Sequence, residues 1–203
     1  MNLIKKNIFI GIVFLLAQFP IAGMADYQDG RDAFDRGDYS AAVKEFENLA
    51  KQNDPKGQYA LAVMYDIGEG VSQNSKEAVK YYRLAGEQGF ADAQNNLGVA
   101  YDQGEGVDTD YKEAMKWYLL AAKGGNKDAP NNIGVFYMIG LGVPRNFEKA
   151  HTWFTIAGAG DSEAIRNKNF VEKKLTSDQL AESKRQAEEW RKIWLKNKWN
   201  GAQ

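Results

Sequence analysis

The sequence predicts an all-α protein, a solenoid of stacked antiparallel helix pairs. Three observations carry that expectation: a pattern that returns every 36 residues, helical spacing within the pattern, and a pair of glycines at its centre. From Asp92 the chain reads Asp-Ala-Gln-Asn-Asn-Leu-Gly-Val-Ala-Tyr-Asp-Gln-Gly-Glu-Gly-Val, and from Asp128 it reads Asp-Ala-Pro-Asn-Asn-Ile-Gly-Val-Phe-Tyr-Met-Ile-Gly-Leu-Gly-Val. One period upstream, Leu61, Tyr65, Gly68, Gly70 and Val71 hold the places of Leu97, Tyr101, Gly104, Gly106 and Val107. In the second half of the unit, Ala114, Trp117, Tyr118 and Ala121 match Ala78, Tyr81, Tyr82 and Ala85 upstream and Ala150, Trp153, Phe154 and Ala157 downstream.

Leu97, Gly98 and Tyr101 stand at i, i+1 and i+4, and Ala114, Trp117, Tyr118 and Ala121 at i, i+3, i+4 and i+7, so each set marks one face of a helix. Each unit is therefore a helix pair. The glycines between the helices permit the positive φ with which a chain leaves one helix and turns back. Asp110, Ser75 or Asn146 can then cap the second helix. Gly98, Gly134 and Ala62 are small enough for helices to approach closely while the aromatic pairs fill the space between layers. A single pair cannot bury both of its faces, so the units must stack.

Three such units run over 55–90, 91–126 and 127–160. Ahead of them, 26–54 holds a shorter pair marked by Gly30, Ala33, Gly37, Tyr39, Ala42, Phe46 and Leu49, with Arg36-Gly37-Asp38 as its turn and Pro55 after it. Behind them, 161–200 reads as a degenerate repeat and a capping helix. Ala164 keeps its place after a one-residue deletion, but Lys168, Asn169 and Glu172 fill the Leu, Gly and Tyr positions, as the polar end of a solenoid requires. Thr176-Ser177-Asp178-Gln179 has the form of a capping box, and Leu180, Ala187, Trp190 and Trp194 form the buried stripe of the last helix.

Residues 1–25 differ in kind: Lys5 and Lys6, an apolar run from Ile8 to Phe19, then Pro20 and Gly23-Met24-Ala25. That is the layout of a secretory signal peptide cleaved before Asp26, and the run is short for a membrane span. An uncleaved anchor would leave the same domain in the same compartment. The expected location is periplasmic or secreted. With no cysteine, neither a lipid-modified Cys nor a disulfide framework is available. Lys plus Arg number 26 against 27 Asp plus Glu, or 24 against 27 without Lys5 and Lys6. Such a balance gives no field that gathers nucleic acid.

The Ala, Leu-Gly, Tyr, Gly-x-Gly-Val, Ala, aromatic-pair and Ala positions, recurring in register from about Asp54 to Ala159, resemble the Sel-one-like repeat family, a branch of the tetratricopeptide superfamily. The 26–54 pair has the shorter tetratricopeptide-like form. Ala62 in place of Gly and the decayed fourth unit depart from the pattern. The resemblance implies a right-handed superhelix whose concave groove is lined by first helices. It also implies, for exported members, work as scaffolds or adaptors in envelope signalling, surface assembly or host contact.

If first helices line the groove, the stripe facing a protein or peptide partner is Tyr59, Val63 and Asp66 in the first unit, Asn95, Val99 and Asp102 in the second, and Asn131, Val135 and Met138 in the third. Asparagine in two successive units can serve a peptide backbone as donor and acceptor together; the other reading is that these asparagines are solvated or bond within the fold. The acidic loops Asp66–Asn74 and Asp102–Asp110 lack the ligand order of a calcium hand, so no metal and no cofactor is expected. The lone His151 makes neither a histidine metal site nor a Cys–His nucleophile, and no special role is expected of it.

No phosphate loop, nucleophile elbow or dinucleotide fingerprint occurs, so the chain reads as a non-catalytic adaptor without a small-molecule substrate. Two alternatives remain. One is an envelope-polymer hydrolase resting on Glu69 and Glu105 in repeated loops. The other is a membrane-surface protein using Trp190, Trp194 and Trp199 with Arg191, Lys192, Lys196 and Lys198, for which capping of the stack is the preferred reading.

Overall fold

The computed structural model describes residues 26–158 and 160–200, with side chains to Lys192; the signal-like segment lies outside the described residues. Those residues form ten helices and no strand: α1 Tyr27–Asp35, α2 Tyr39–Lys51, α3 Pro55–Ile67, α4 Ser75–Glu87, α5 Ala91–Gln103, α6 Tyr111–Gly124, α7 Ala129–Ile139, α8 Phe147–Ala157, α9 Ser162–Glu172 and α10 Ser177–Asn200. From α1 to α9 each helix packs on the next, which gives an α-solenoid of helix pairs. No described helix is long and apolar enough to cross a membrane.

Caps start the second helices at one repeated position. Asn74, Asp110 and Asn146, spaced by 36, each accept from backbone N–H groups in the first turn of α4, α6 and α8. The first-unit cap is thus Asn74, with Ser75 the first helical residue. Glu77, Glu113 and Glu148 sit in those first turns, where the helix dipole favours a carboxylate. The first helices are started differently. Asp54 caps α3 ahead of Pro55, whereas α7 is capped from outside by Asn126, whose Oδ1 accepts from Asp128 and Ala129 N–H while its amide donates to Asp92 at 2.8 Å.

Leu61, Leu97 and Ile133 have no exposed surface, and the second aromatics Tyr82, Tyr118 and Phe154 are buried beside them. Burying each such side chain is worth about 1.5–3 kcal/mol. The fit leaves no room at the paired small position: a Cβ at Gly98 would lie 2.7 Å from the Tyr118 ring, and one at Gly134 would strike Phe154 in the same way. The first aromatics reach backward. Trp117 of α6 joins the cluster of Ala78, Tyr82 and Leu97, and Trp153 of α8 joins that of Ala114, Ala121 and Ile133.

Contacts between units also run through backbone. The Gly-x-Gly loops place Gly68, Gly104 and Gly140 at left-handed helix ends. The second glycine of each loop lies on the first residue of the second helix one unit back. A Cβ at Gly70 would stand 2.6 Å from the Tyr39 carbonyl oxygen and one at Gly142 2.7 Å from that of Tyr111; at Gly106 the approach to Ser75 is closer still.

The C-terminal end departs from simple repetition. The capping box forms, with Thr176 N–H donating to Gln179 and Gln179 N–H to the Thr176 hydroxyl. α10 then packs across α8 and reaches α6. Trp190 stacks at a tilt on Trp153, with ring centres 4.8 Å apart, and Ala187 is buried. Leu180 is only half-buried, and the Trp194 side chain lies outside the described residues.

His151, for which no role was expected, fastens this end. It is wholly buried on α8; its Nε2 lies 3.1 Å from Glu172 of α9 and its Nδ1 2.8 Å from the Ser183 hydroxyl of α10. The Ser183 hydroxyl lies within hydrogen-bond distance of both the His151 Nδ1 and the Leu180 carbonyl, the latter at 2.9 Å, while Nε2 faces the Glu172 carboxylate. Burial holds the imidazole below its ordinary pKa of 6.5, against the pull of Glu172 and with help from Lys168 and Lys184. Because the unfolded chain then takes up a proton more readily, stability from this group is present above pH 6.5 and declines as pH falls toward the native value. The thermal midpoint of the wild type should therefore drop between pH 7 and pH 5 more than that of His151→Gln; parallel curves for the two proteins would refute this role.

Candidate functional site

The candidate face is built by the outward stripe of α3, α5 and α7, and each residue of that stripe has a distinct environment. Val63, Val99 and Val135 recur half-buried, each resting on a core cluster with part of its surface open. Tyr59 leans into the core, 5.0 Å from Phe90 and 5.9 Å from Tyr82 between ring centres, and burial raises its phenol pKa.

The asparagines divide differently from the expectation. Asn95 and Asn131 are only 6% and 8% exposed. The Asn95 carbonyl accepts from the Asn132 amide one unit on, at 3.2 Å, and the Asn131 carbonyl is buried without a partner. In each Asn-Asn pair the half-exposed member is the second, Asn96 or Asn132. Asn96 lies beside Tyr82 in one cavity, and in the next unit Asn132 reaches back to the unit before it. The signal for this register was present in Tyr59: an aromatic at the position of Asn95 marks a place that packs between helices.

Asp66 and Asp102 are spent in part on the fold. The Tyr82 hydroxyl donates to Asp66 at 3.0 Å, and Tyr118 and Asp102, at the same two places one unit on, perturb each other's titration. Desolvation raises the phenol pKa of both tyrosines, and the adjacent carboxylate raises it further. Desolvation also raises the Asp102 carboxyl, against the lowering effect of its tyrosine hydrogen bond. In the third unit both members change together: Met138 and Phe154 occupy the two positions and pack as apolar neighbours. Hydroxyl and carboxylate are kept or lost together across the three units.

Two cavities open on this framework. One of about 130 Å³ lies between α3 and α5 over α4, lined by Asp66, Val79, Tyr82, Asn96, Val99 and Glu105 among others. The other, about 540 Å³, lies at the seam between the third unit and α10, with Trp153, Trp190, Ile156 and Pro130 on its walls and Lys127, Asp128, Asp161 and Arg191 around them. Arg191 donates to the Thr155 carbonyl at 2.8 Å. Together with Trp190 on Trp153, this engages two residues of the basic aromatic end within the fold, while Lys192 is exposed; the side chains of Trp194, Lys196, Lys198 and Trp199 lie outside the described residues.

Ser183, His151 and Glu172 have the residue types of a hydrolytic triad. Ser183 and His151 have no exposed surface, so the hydroxyl meets protein atoms rather than a substrate. Sequence spacing could not bring these three together, since they lie on α8, α9 and α10. Glu105 shares its cavity with Asp66 rather than with Glu69. Among the described residues no group of three or more His, Asp or Glu side chains is placed to hold a metal ion.

The Sel1 repeat family model matches residues 55–90, 91–126 and 128–162, more than half of the chain. Among solved structures, a Sel1 repeat protein from Oxalobacter formigenes is similar at 31% identity and a TM-score of 0.66, over 84% of this chain and 72% of that one. The c5321 protein, a protective antigen of uropathogenic Escherichia coli with the SLR fold, is similar at 30% identity and a TM-score of 0.56, over 77% of this chain. The present chain spans 43% of that antigen's length. No curated protein matches the chain.

The paired Asp–Tyr arrangement yields a direct test. Tyr82→Phe should cost about 1–3 kcal/mol by stripping the half-buried Asp66 carboxylate of its donor. Adding Asp66→Met, which reproduces the third unit's Met138 and Phe154, should recover at least about 1 kcal/mol of that loss in urea unfolding. Strictly additive losses would show that the two groups are not coupled.

Proposed function

The chain belongs to the Sel1 repeat family, whose members generally serve as protein-interaction scaffolds, and from that premise we propose that it acts as an exported, non-catalytic adaptor that grips a protein or peptide segment along the face formed by α3, α5 and α7. The observation that carries the reading is the half-exposed row Val63, Val99 and Val135, flanked by Asn96 and Asn132, which repeats with the units themselves. Apolar patches bordered by amide groups suit a peptide: the valines cover side chains, and each amide offers both a donor and an acceptor to the backbone. Asn96 and Asn132 replace Asn95 and Asn131 in this reading, since only the former pair is accessible.

Export rests on the Lys5-Lys6 and Ile8–Phe19 pattern followed by small residues before Asp26, and it places the adaptor in the periplasm or outside the cell. Its role there would be in envelope signalling, surface assembly or host contact. The closed Ser183–His151–Glu172 arrangement and the engagement of Asp66 by Tyr82 favour binding over hydrolysis.

A photo-crosslinking amino acid placed at Asn132, on the proposed face, should capture a discrete partner in the native cell, whereas one at the exposed Lys116 should not. Equal capture at Lys116, or none at Asn132, would move the binding face elsewhere.

A further inference from the structure

The cleft between α3 and α5 has a chemistry of its own within the proposed face. Its volume of about 130 Å³ is below the roughly 300 Å³ at which pockets hold whole small molecules, and suits a single side chain. Val79, Val99, Ala78 and Ala100 form an apolar lining. Asp66, Glu105 and the Asn96 amide supply its polar groups. Tyr82 satisfies one oxygen of Asp66. Neither Asp66 nor Glu105 forms an ion pair among the described residues.

The same place in the next unit is different. Stepping by 36 residues, Asp66 becomes Asp102, already desolvated against Tyr118, and Glu105 becomes Leu141. One unit further, Asp102 becomes Met138. Negative charge is thus concentrated at the first cleft and fades toward the C-terminal end.

We infer that this cleft receives a lysine or arginine side chain of the bound segment, its aliphatic stem on Val79 and Val99 and its cation between Asp66 and Glu105. The inference rests on the reading of this face as the partner-binding one. It adds the partner's chemistry: a long cationic side chain is the group that combines an apolar stem with a charge complementary to two carboxylates.

The test is an array of random decapeptides probed with the purified protein, with Glu105→Gln, and with Asp66→Asn plus Glu105→Gln. Asparagine at position 66 keeps an acceptor for the Tyr82 hydroxyl, and Glu105 is exposed, so both variants should keep the wild-type helical signal. The wild type should select peptides enriched in Lys or Arg. Glu105→Gln should weaken the strongest by several-fold and the double variant by about tenfold, with the enrichment lost. Selection without basic enrichment, or enrichment that survives the double variant, would overturn the cleft assignment and leave the face as a peptide site. Retention of no peptide by any of the three proteins would overturn both.

Discussion

Each Gly-x-Gly loop sets its second glycine on the first carbonyl of the second helix one unit back, Gly70 on Tyr39, Gly106 on Ser75 and Gly142 on Tyr111. This backbone-to-backbone contact fixes how far successive units stand apart, and no side chain larger than hydrogen fits at that point. The aromatic positions make sense only at the spacing it sets. Trp117 and Trp153 reach into the core of the unit before their own, and the tight seats of Tyr118 over Gly98 and of Phe154 over Gly134 depend on the same helix approach. Because the contact repeats, the stripe of α3, α5 and α7 repeats with it, and a continuous face arises without any residue being selected for the whole.

Polar groups within this frame are handled pairwise and locally. Asp66 with Tyr82 and Asp102 with Tyr118 are exchanged as a set for Met138 and Phe154. Asn132 with Asn95 links one unit to the previous one. The outcome is a face on which part of the polarity serves the fold and the remainder points outward, so contacts with a partner have to be read from what is left after the internal bonds are counted. At the C-terminal end, the His151 network and the Trp190–Trp153 contact do for α10 what the glycine loops do between units.

The repeat, the helix pairs and the capping end were legible because they depend on local spacing. The places of Leu97, Gly98 and Tyr118 recur at one register, as Leu61, Ala62 and Tyr82 and as Ile133, Gly134 and Phe154, and their burial follows from helical period alone. The capping box at Thr176 was legible for the same reason. The site was only partly so. Neighbouring asparagines differ by about 100° around the helix, and which one faces outward depends on where the next helix lands; Tyr59 marked the answer, but only once its packing against Phe90 was known. The cap at Asn74 rather than Ser75 is a boundary shift of one residue of the kind local chemistry does not settle. His151, Glu172 and Ser183 meet through tertiary packing of three helices, and no spacing in the chain announces it.

The most direct measurement of the inter-unit contact is the urea stability of Gly106→Ala set against Gly89→Ala. Both glycines have left-handed backbone, φ +73° and φ +89°, but a Cβ at Gly89 would meet nothing within 4 Å while one at Gly106 would press into the start of α4. Each substitution carries about 1–2 kcal/mol of backbone strain. Gly106→Ala should lose about 1–3 kcal/mol more than Gly89→Ala, from forced separation of the units. Equal losses in the two variants would contradict the claim that this contact holds the solenoid together.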